Sequence, residues 1–322
     1  MPEKSLKNSI VSLFSEVIYF AKEDFNVKAY VFTAVLIISA IFVNYQFYIY
    51  RDYIRVSYYA GKSEWVMPLF YLFIYFFTAI ITLVLRKRFD ILKDYRFYLK
   101  STFFVSLYGF GVGYFGYANW NLSTFLSQER VYLLMLFSQL KCLLLFMPLL
   151  FLMKLTVDKK VVGFYGLAKN TRHFDGYFAL FTFLIPFLIL ISFTPDFLSA
   201  YPQFKAWNYT GIFGLETWLY TTIYEIAYSL DFVMTELIFR GTLVLGMMLI
   251  MGRTAILPMV VFYVSIHFGK PLAECISSAF GGYILGALAY QTRHIWGGVM
   301  VHICIALTME VMGFIQYYVF RQ

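Results

Sequence analysis

Charge is the first thing this chain is short of. Only 14% of its 322 residues are Asp, Glu, Lys or Arg, against about 25% in soluble proteins. That shortage excludes an ordinary soluble domain. Cysteine is scarcer still: three residues, Cys142, Cys275 and Cys304, each inside an apolar run. No disulfide or metal-type spacing links them, so they read as small core residues. The chain also lacks a periodic repeat, a low-complexity tract and a flexible linker, which argues against a solenoid or a string of soluble modules. A HExxH zinc-protease spacing is missing as well. The first residues carry no secretory signal pattern, because Glu16, Lys22, Glu23 and Asp24 interrupt the apolar stretch.

What is abundant is apolar and aromatic surface. The chain is 61% hydrophobic and 22% aromatic, with a mean hydropathy of +0.70. Continuous apolar runs of about 18 residues or more recur along it, and continuity favours helices over the alternation of a barrel strand. The expected fold is all-α: a polytopic helical membrane protein with about eight or nine transmembrane helices and a polar site inside the C-terminal bundle. The net charge of +8 reads as basic loop charge that sets topology, so no nucleic-acid partner is expected.

Along the chain, Leu6, Ile10, Leu13, Val17 and Ala21 recur at helical spacing. They predict an amphipathic helix over about 1–28, either lying on the membrane surface or packed on one end of the bundle. Spans are expected at about 29–50, 65–85, 102–117, 131–153 and 177–193. The loop after the second holds Arg86, Lys87, Arg88 and Lys93, and the loop after the fourth holds Lys154, Lys159, Lys160, Lys169 and Arg172. Both are assigned to the cytoplasm, together with the N-terminus. Gly109 and Gly113 permit close helix approach and are a weak dimerisation signal. Lys141, near the centre of the fourth span, is either a partner for a later carboxylate or a structural lysine.

From about 216 to 251 the chain is apolar for too long to be one straight crossing, since about 36 residues span about 54 Å against a core of about 30 Å. A broken or tilted helix is expected, turning near Asp231. Further spans follow at about 255–268, 274–290 and 295–320. The division is a supporting half over 29–174 and a site-bearing half over 175–322.

Glu236, Arg240, His267, Glu274, His302 and Glu310 all sit in runs that otherwise suit lipid. A charge at bilayer depth costs about 2.5–3.5 kcal/mol even on lenient scales, so a shared polar enclosure is expected. Glu236 and Arg240 are i and i+4 and can pair directly. His302, Ala306 and Glu310 fall on one face of the last span. Counting from Arg253 and Arg293 as helix ends places Glu236, Arg240, His267 and His302 about 14–25 Å deep. Ser278, Gly282 and Gly286 form a second close-packing stripe. His173 and His294 are loop residues.

The segments TELIFRG, YVSIH and GGVMVHICIA, in that order, resemble the CPBP family of CAAX-protease and bacteriocin-processing intramembrane proteins, also called Abi. The resemblance covers about 175–313. It matches Glu236 and Arg240 to the second glutamate and the arginine of the first motif, with Thr235 in place of the first glutamate. Tyr263 stands for the phenylalanine of the second motif and His267 matches. His302 matches the third, with Ala306 in place of asparagine.

The resemblance implies an intramembrane endopeptidase in which the first glutamate and the second-motif histidine activate water and the third-motif histidine and asparagine hold the oxyanion. In this chain Glu236 and His267 would polarise water and His302 would steady the developing charge, with Arg240 the fourth expected catalytic residue. Glu310, Glu274, Thr235 and Tyr263 are then the expected substrate-contacting positions. Glu274 and Glu310 are also the available substitutes for the missing acid. A base is worth about 10²–10⁴-fold and an oxyanion donor about 10²–10³-fold, so the two departures imply altered or lost activity. The alternative is an inactive scaffold that binds a peptide or a membrane-protein partner. A metal-dependent protease built on the two histidines and a carboxylate, with zinc, is a third option, and a transporter a fourth; no cofactor is expected from the first two. The expected location is a bacterial cytoplasmic (inner) membrane.

Overall fold

The computed structural model describes residues 6–169 and 172–320; residues 1–5 of the expected amphipathic segment lie outside it. Ten longer helices carry the architecture: α1 (Leu6–Asp24), α2 (Val27–Phe47), α3 (Ser63–Leu85), α4 (Tyr95–Gly113), α5 (Ser127–Thr156), α6 (Phe174–Ile191), α7 (Thr217–Glu236), α8 (Ile256–Ser265), α9 (Leu272–Thr292) and α10 (Trp296–Ile315). No strand is present among the described residues. Among the described residues, seven stretches are long and apolar enough to cross a membrane, and one of them, Thr217–Ser265, runs for 49 residues through α7 and α8. At 1.5 Å per residue that stretch is far longer than one crossing of a core of about 30 Å. The chain is a polytopic all-α membrane protein.

Two expected spans come out differently. The third, at 102–117, is the helix α4, which starts seven residues earlier and is not among the seven apolar stretches. One face of it is packed against protein, with Phe97, Ser101, Phe104, Val105 and Gly111 buried, while Tyr95, Leu99 and Phe110 stay exposed. The seventh, at 255–268, ends as a helix at Ser265. Ten residues rise about 15 Å, half of the hydrocarbon thickness.

Local signals set the ends. Asn26 caps α2 by accepting from the Ala29 amide at 3.0 Å, and Asp94 caps α4 by accepting from the Arg96 amide at 2.9 Å. Each satisfies one of the amides left over at a helix start. Glu129 reaches back to the Leu126 amide at 2.9 Å to begin α5. The long apolar stretch does not turn at Asp231, which lies within regular α7. The winding instead changes at Leu237, where a π-helix runs to Gly246. The direction changes later still, at Gly252, whose φ of +59° suits a residue without Cβ.

Small residues decide which helices touch. A Cβ on Gly109 would stand 2.5 Å from the Pro68 backbone, and one on Gly113 would stand 2.4 Å from the Ser63 carbonyl oxygen. The Gly109–Gly113 stripe is therefore spent inside the chain, on α3 against α4. Gly282 and Gly286 seat Tyr263 and Met259 in the same way and bring α9 onto α8.

At the basic end of the bundle, α1 packs across α6 and α9. Leu13, Val17 and Phe20 face inward, while Val11, Ile18 and Tyr19 are exposed. The helix is thus docked on the bundle, with its outer face left apolar. Arg86 fixes its end by bonding both carboxylate oxygens and the carbonyl of Asp24. Nearby, Lys100 donates to Asp158 and to the Gly246 carbonyl, and Tyr165 donates to the other Asp158 oxygen at 2.8 Å. That buried knot ties the 157–169 connection to the end of the π-helix. At the opposite end, Tyr132, Phe204, Tyr220 and Tyr224 form a separate aromatic cluster.

Candidate active site

Glu236 is the last α-helical residue before the π-segment, and it is fully buried. Its Oε1 accepts from Arg240 at 2.9 Å and from His302 Nδ1 at 3.1 Å. Arg240 is 1% exposed. Removing either partner would leave the other charge uncompensated in a low-dielectric interior, which costs about 3–5 kcal/mol. The pair forms because i and i+4 share a helical face. His302 reaches it from α10, across the bundle.

Gly298 makes that approach possible. It lies one turn before His302, and a Cβ there would stand 2.5 Å from Glu236 Oε2. Neither Gly298 nor Phe232 was indicated by charge patterning. Phe232 sits four residues before Glu236 and packs on the His302 ring at 4.5 Å between centroids. The spacing signals for both are in the chain: a GG pair one turn before His302, and an aromatic one turn before Glu236.

Tyr263 joins the two halves of the site. The Arg240 guanidinium lies 4.2 Å above its ring, a cation–π geometry. The same ring meets His267 edge-on at 4.8 Å and His302 at 6.5 Å between centroids. His267 is beyond the end of α8, in the turn to α9, and its Nδ1 lies 2.8 Å from the Tyr263 carbonyl oxygen. A carbonyl only accepts, so Nδ1 carries the proton and Nε2 keeps its lone pair. The same reasoning applies to His302, whose Nδ1 faces an ionised carboxylate. Helix α2 holds the turn: Asn44 donates to the Phe268 carbonyl at 3.0 Å and Tyr45 to the Lys270 carbonyl at 2.6 Å. Non-helical backbone among membrane helices needs such internal partners.

The remaining expected positions lie elsewhere. Thr235 lines a cavity with Asp231 and Lys141, and His302 is not part of that lining. Glu310 is buried and accepts from the Gln203 amide at 3.0 and 2.9 Å. Glu274 accepts from the Tyr201 hydroxyl at 3.1 Å and lies 3.7 Å from Lys270. Both carboxylates anchor the connection between α6 and α7. Ala306 packs in the aromatic cluster of Tyr132, Phe204 and Tyr220. Lys141 donates to the Val112 and Tyr114 carbonyls at 2.8 and 3.0 Å and so caps α4. Among the described residues no group of three or more His, Cys, Asp or Glu is placed to hold a metal, and zinc takes three or four ligands. The two loop histidines make structural bonds, His173 beside Glu16 and His294 to the Arg172 carbonyl.

This arrangement spans three helices and one turn, all from the C-terminal half. A family model described as type II CAAX prenyl endopeptidase Rce1-like matches residues 217–308. The match begins at the first residue of α7 and includes Glu236, Arg240, His267 and His302. No curated protein and no solved structure gives a significant match. The buried glutamate, its arginine and the two histidines thus lie together in a segment, 217–308, that is similar to the Rce1-like, type II CAAX prenyl endopeptidase family.

Proposed function

We propose that this protein is a membrane-embedded endopeptidase acting on a peptide presented at the bilayer, with His267 and His302 as its working bases. The observation that carries the reading is the hydrogen bond from His302 to Glu236. It fixes the imidazole tautomer and leaves Nε2 free to take a proton from water. Glu236 is then a positioning residue, and Arg240 holds its charge in place. In the reaction, water loses a proton to an imidazole Nε2 as its oxygen attacks the scissile carbonyl. The imidazolium returns that proton to the departing amine. With Thr235 and Ala306 in place of an acid and an amide donor, turnover is slow by several decades relative to a complete set, by the usual worth of each group.

A second reading has one specific observation in its favour. Ala306 is packed among aromatic rings, so nothing at that position reaches the reacting centre. The protein would then bind a peptide or a partner membrane protein without cutting it.

Cleavage of membrane-anchored peptides in liposomes distinguishes the two. Wild type is expected to cut, with His302→Ala and His267→Ala slower by about 10²–10⁴-fold and Glu236→Gln also impaired. Equal rates for wild type and His302→Ala would reject the peptidase reading. A stoichiometric partner recovered from native membranes would then support the scaffold. We further propose that the basic end of the bundle, with the N-terminus, faces the cytoplasm of a bacterial inner membrane, as the distribution of loop lysines and arginines favours.

A further inference from the structure

A second polar enclosure lies on a different side of α7. It is a cavity of about 360 Å³ bounded by the end of α4, by α5, and by Asp231, Met234 and Thr235. None of Glu236, Arg240, Tyr263, His267 and His302 lines it. The volume falls in the lower part of the range of ligand pockets, roughly 300–1,000 Å³.

Two opposite charges face this space from separate helices, Lys141 on α5 and Asp231 on α7. Lys141 gives two of its three N–H bonds to the Val112 and Tyr114 carbonyls. Asp231 has no hydrogen bond or ion pair among the described residues, and the two side chains do not pair with each other. The rest of the lining mixes aromatic rings, including Tyr108 and Phe146, with Ser138 and Gln139. A free carboxylate among membrane helices costs several kcal/mol unless something answers it. A simple cation would satisfy Asp231 but be repelled by Lys141. A simple anion would meet the reverse problem.

We propose that this cavity binds a small zwitterion, an α-amino acid with an apolar side chain. Its ammonium pairs with Asp231 and meets the faces of the aromatic rings. Its carboxylate takes the third N–H of Lys141. Its side chain lies against Tyr108, Phe146 and Met234. The inference does not rest on peptide cleavage: of the positions in that reading only Thr235 lines the cavity, and none of Glu236, Arg240, His267 and His302 does.

The test is equilibrium binding of radiolabelled leucine to the full chain in phosphatidylcholine nanodiscs. Saturable binding is expected, displaced by unlabelled leucine. Leucinamide, which keeps only the cation, and N-acetyl-leucine, which keeps only the anion, should each compete at least about tenfold more weakly, a difference of about 1.4 kcal/mol. Asp231→Asn should weaken leucine binding by at least about the same factor while its thermal melt stays cooperative. Should that variant fail to fold, the analogue series on wild type decides alone. No saturable leucine binding, analogues that compete as well as leucine, or unchanged affinity in folded Asp231→Asn would each overturn the proposal.

Discussion

Gly298 shows how a single absent methyl group holds the site together. Glu236 Oε2 occupies the space where a Cβ would be, 2.5 Å away. Gly298→Ala must therefore shift the Glu236 carboxylate, whose Oε1 carries the bonds to Arg240 and His302, or separate α7 from α10. Overpacking of this kind costs about 1–3 kcal/mol. Thermal melts in detergent should show that loss, and any peptidase activity should fall with it, as in Glu236→Gln. An unaltered melt would mean that the helices yield without strain.

His294 makes a different prediction. It is buried between α9 and α10, with Nε2 donating to the Arg172 carbonyl and Nδ1 without a partner. Burial pushes its pKa below the ordinary histidine value, against the smaller opposing effect of that hydrogen bond. The unfolded chain then binds more protons than the folded one as pH falls below about 6.5. Stability is complete above that pH and declines below it until the folded imidazole also protonates. The melting temperature of wild type should drop between about pH 7 and pH 5, and His294→Gln should flatten that part of the profile. Parallel profiles for the two proteins would count against the assignment.

Helices in this chain meet where side chains are missing, and α3 with α4 is the clearest case. Gly113 approaches Ser63 so closely that Ser63 Oγ donates to the Gly113 carbonyl at 2.6 Å. Gly113→Ala should lower the melting temperature through a loss of about 1–3 kcal/mol. The particle size in chromatography should not change, because the stripe is consumed within one chain. A shift in oligomeric state would show that the glycines also serve an interface between copies. Helix α2 has a second duty: Asn44 and Tyr45 hold the turn that presents His267. The N-terminal half thereby reaches the candidate site without contributing a side chain to its reacting groups.

For the molecule as a whole, charge is concentrated at one end. Arg86, Lys87, Arg88, Lys93, Arg253 and Arg293 lie in the connections there, and α1 is pinned among them through Asp24 and Arg86. If that end is cytoplasmic, a cysteine placed at Glu64 in a cysteine-free background should react with an impermeant maleimide applied to intact cells. One placed at Asp90 should react only after lysis. The reversed pattern would invert the topology.

Much of this was readable without coordinates. Apolar runs longer than the membrane is thick require helices, because backbone amides in lipid have no other partners. The i, i+4 spacing of Glu236 and Arg240 brings them together through local geometry alone. The order of the three polar motifs was likewise legible, and the matched segment 217–308 contains them. Distance in the chain hides the rest. His302 lies 66 residues from Glu236, and no local rule says that a glycine one turn away clears its path. Glu310 shares a helix face with His302 yet binds the Gln203 amide, because helix periodicity sets a direction and not a partner. Thr235 and Glu236 are neighbours that face different enclosures, since successive residues of a helix point about 100° apart. Periodicity and hydropathy act over a few residues and so declare the helices and their polar faces. Which faces meet depends on packing between distant segments, and only the folded bundle decides that.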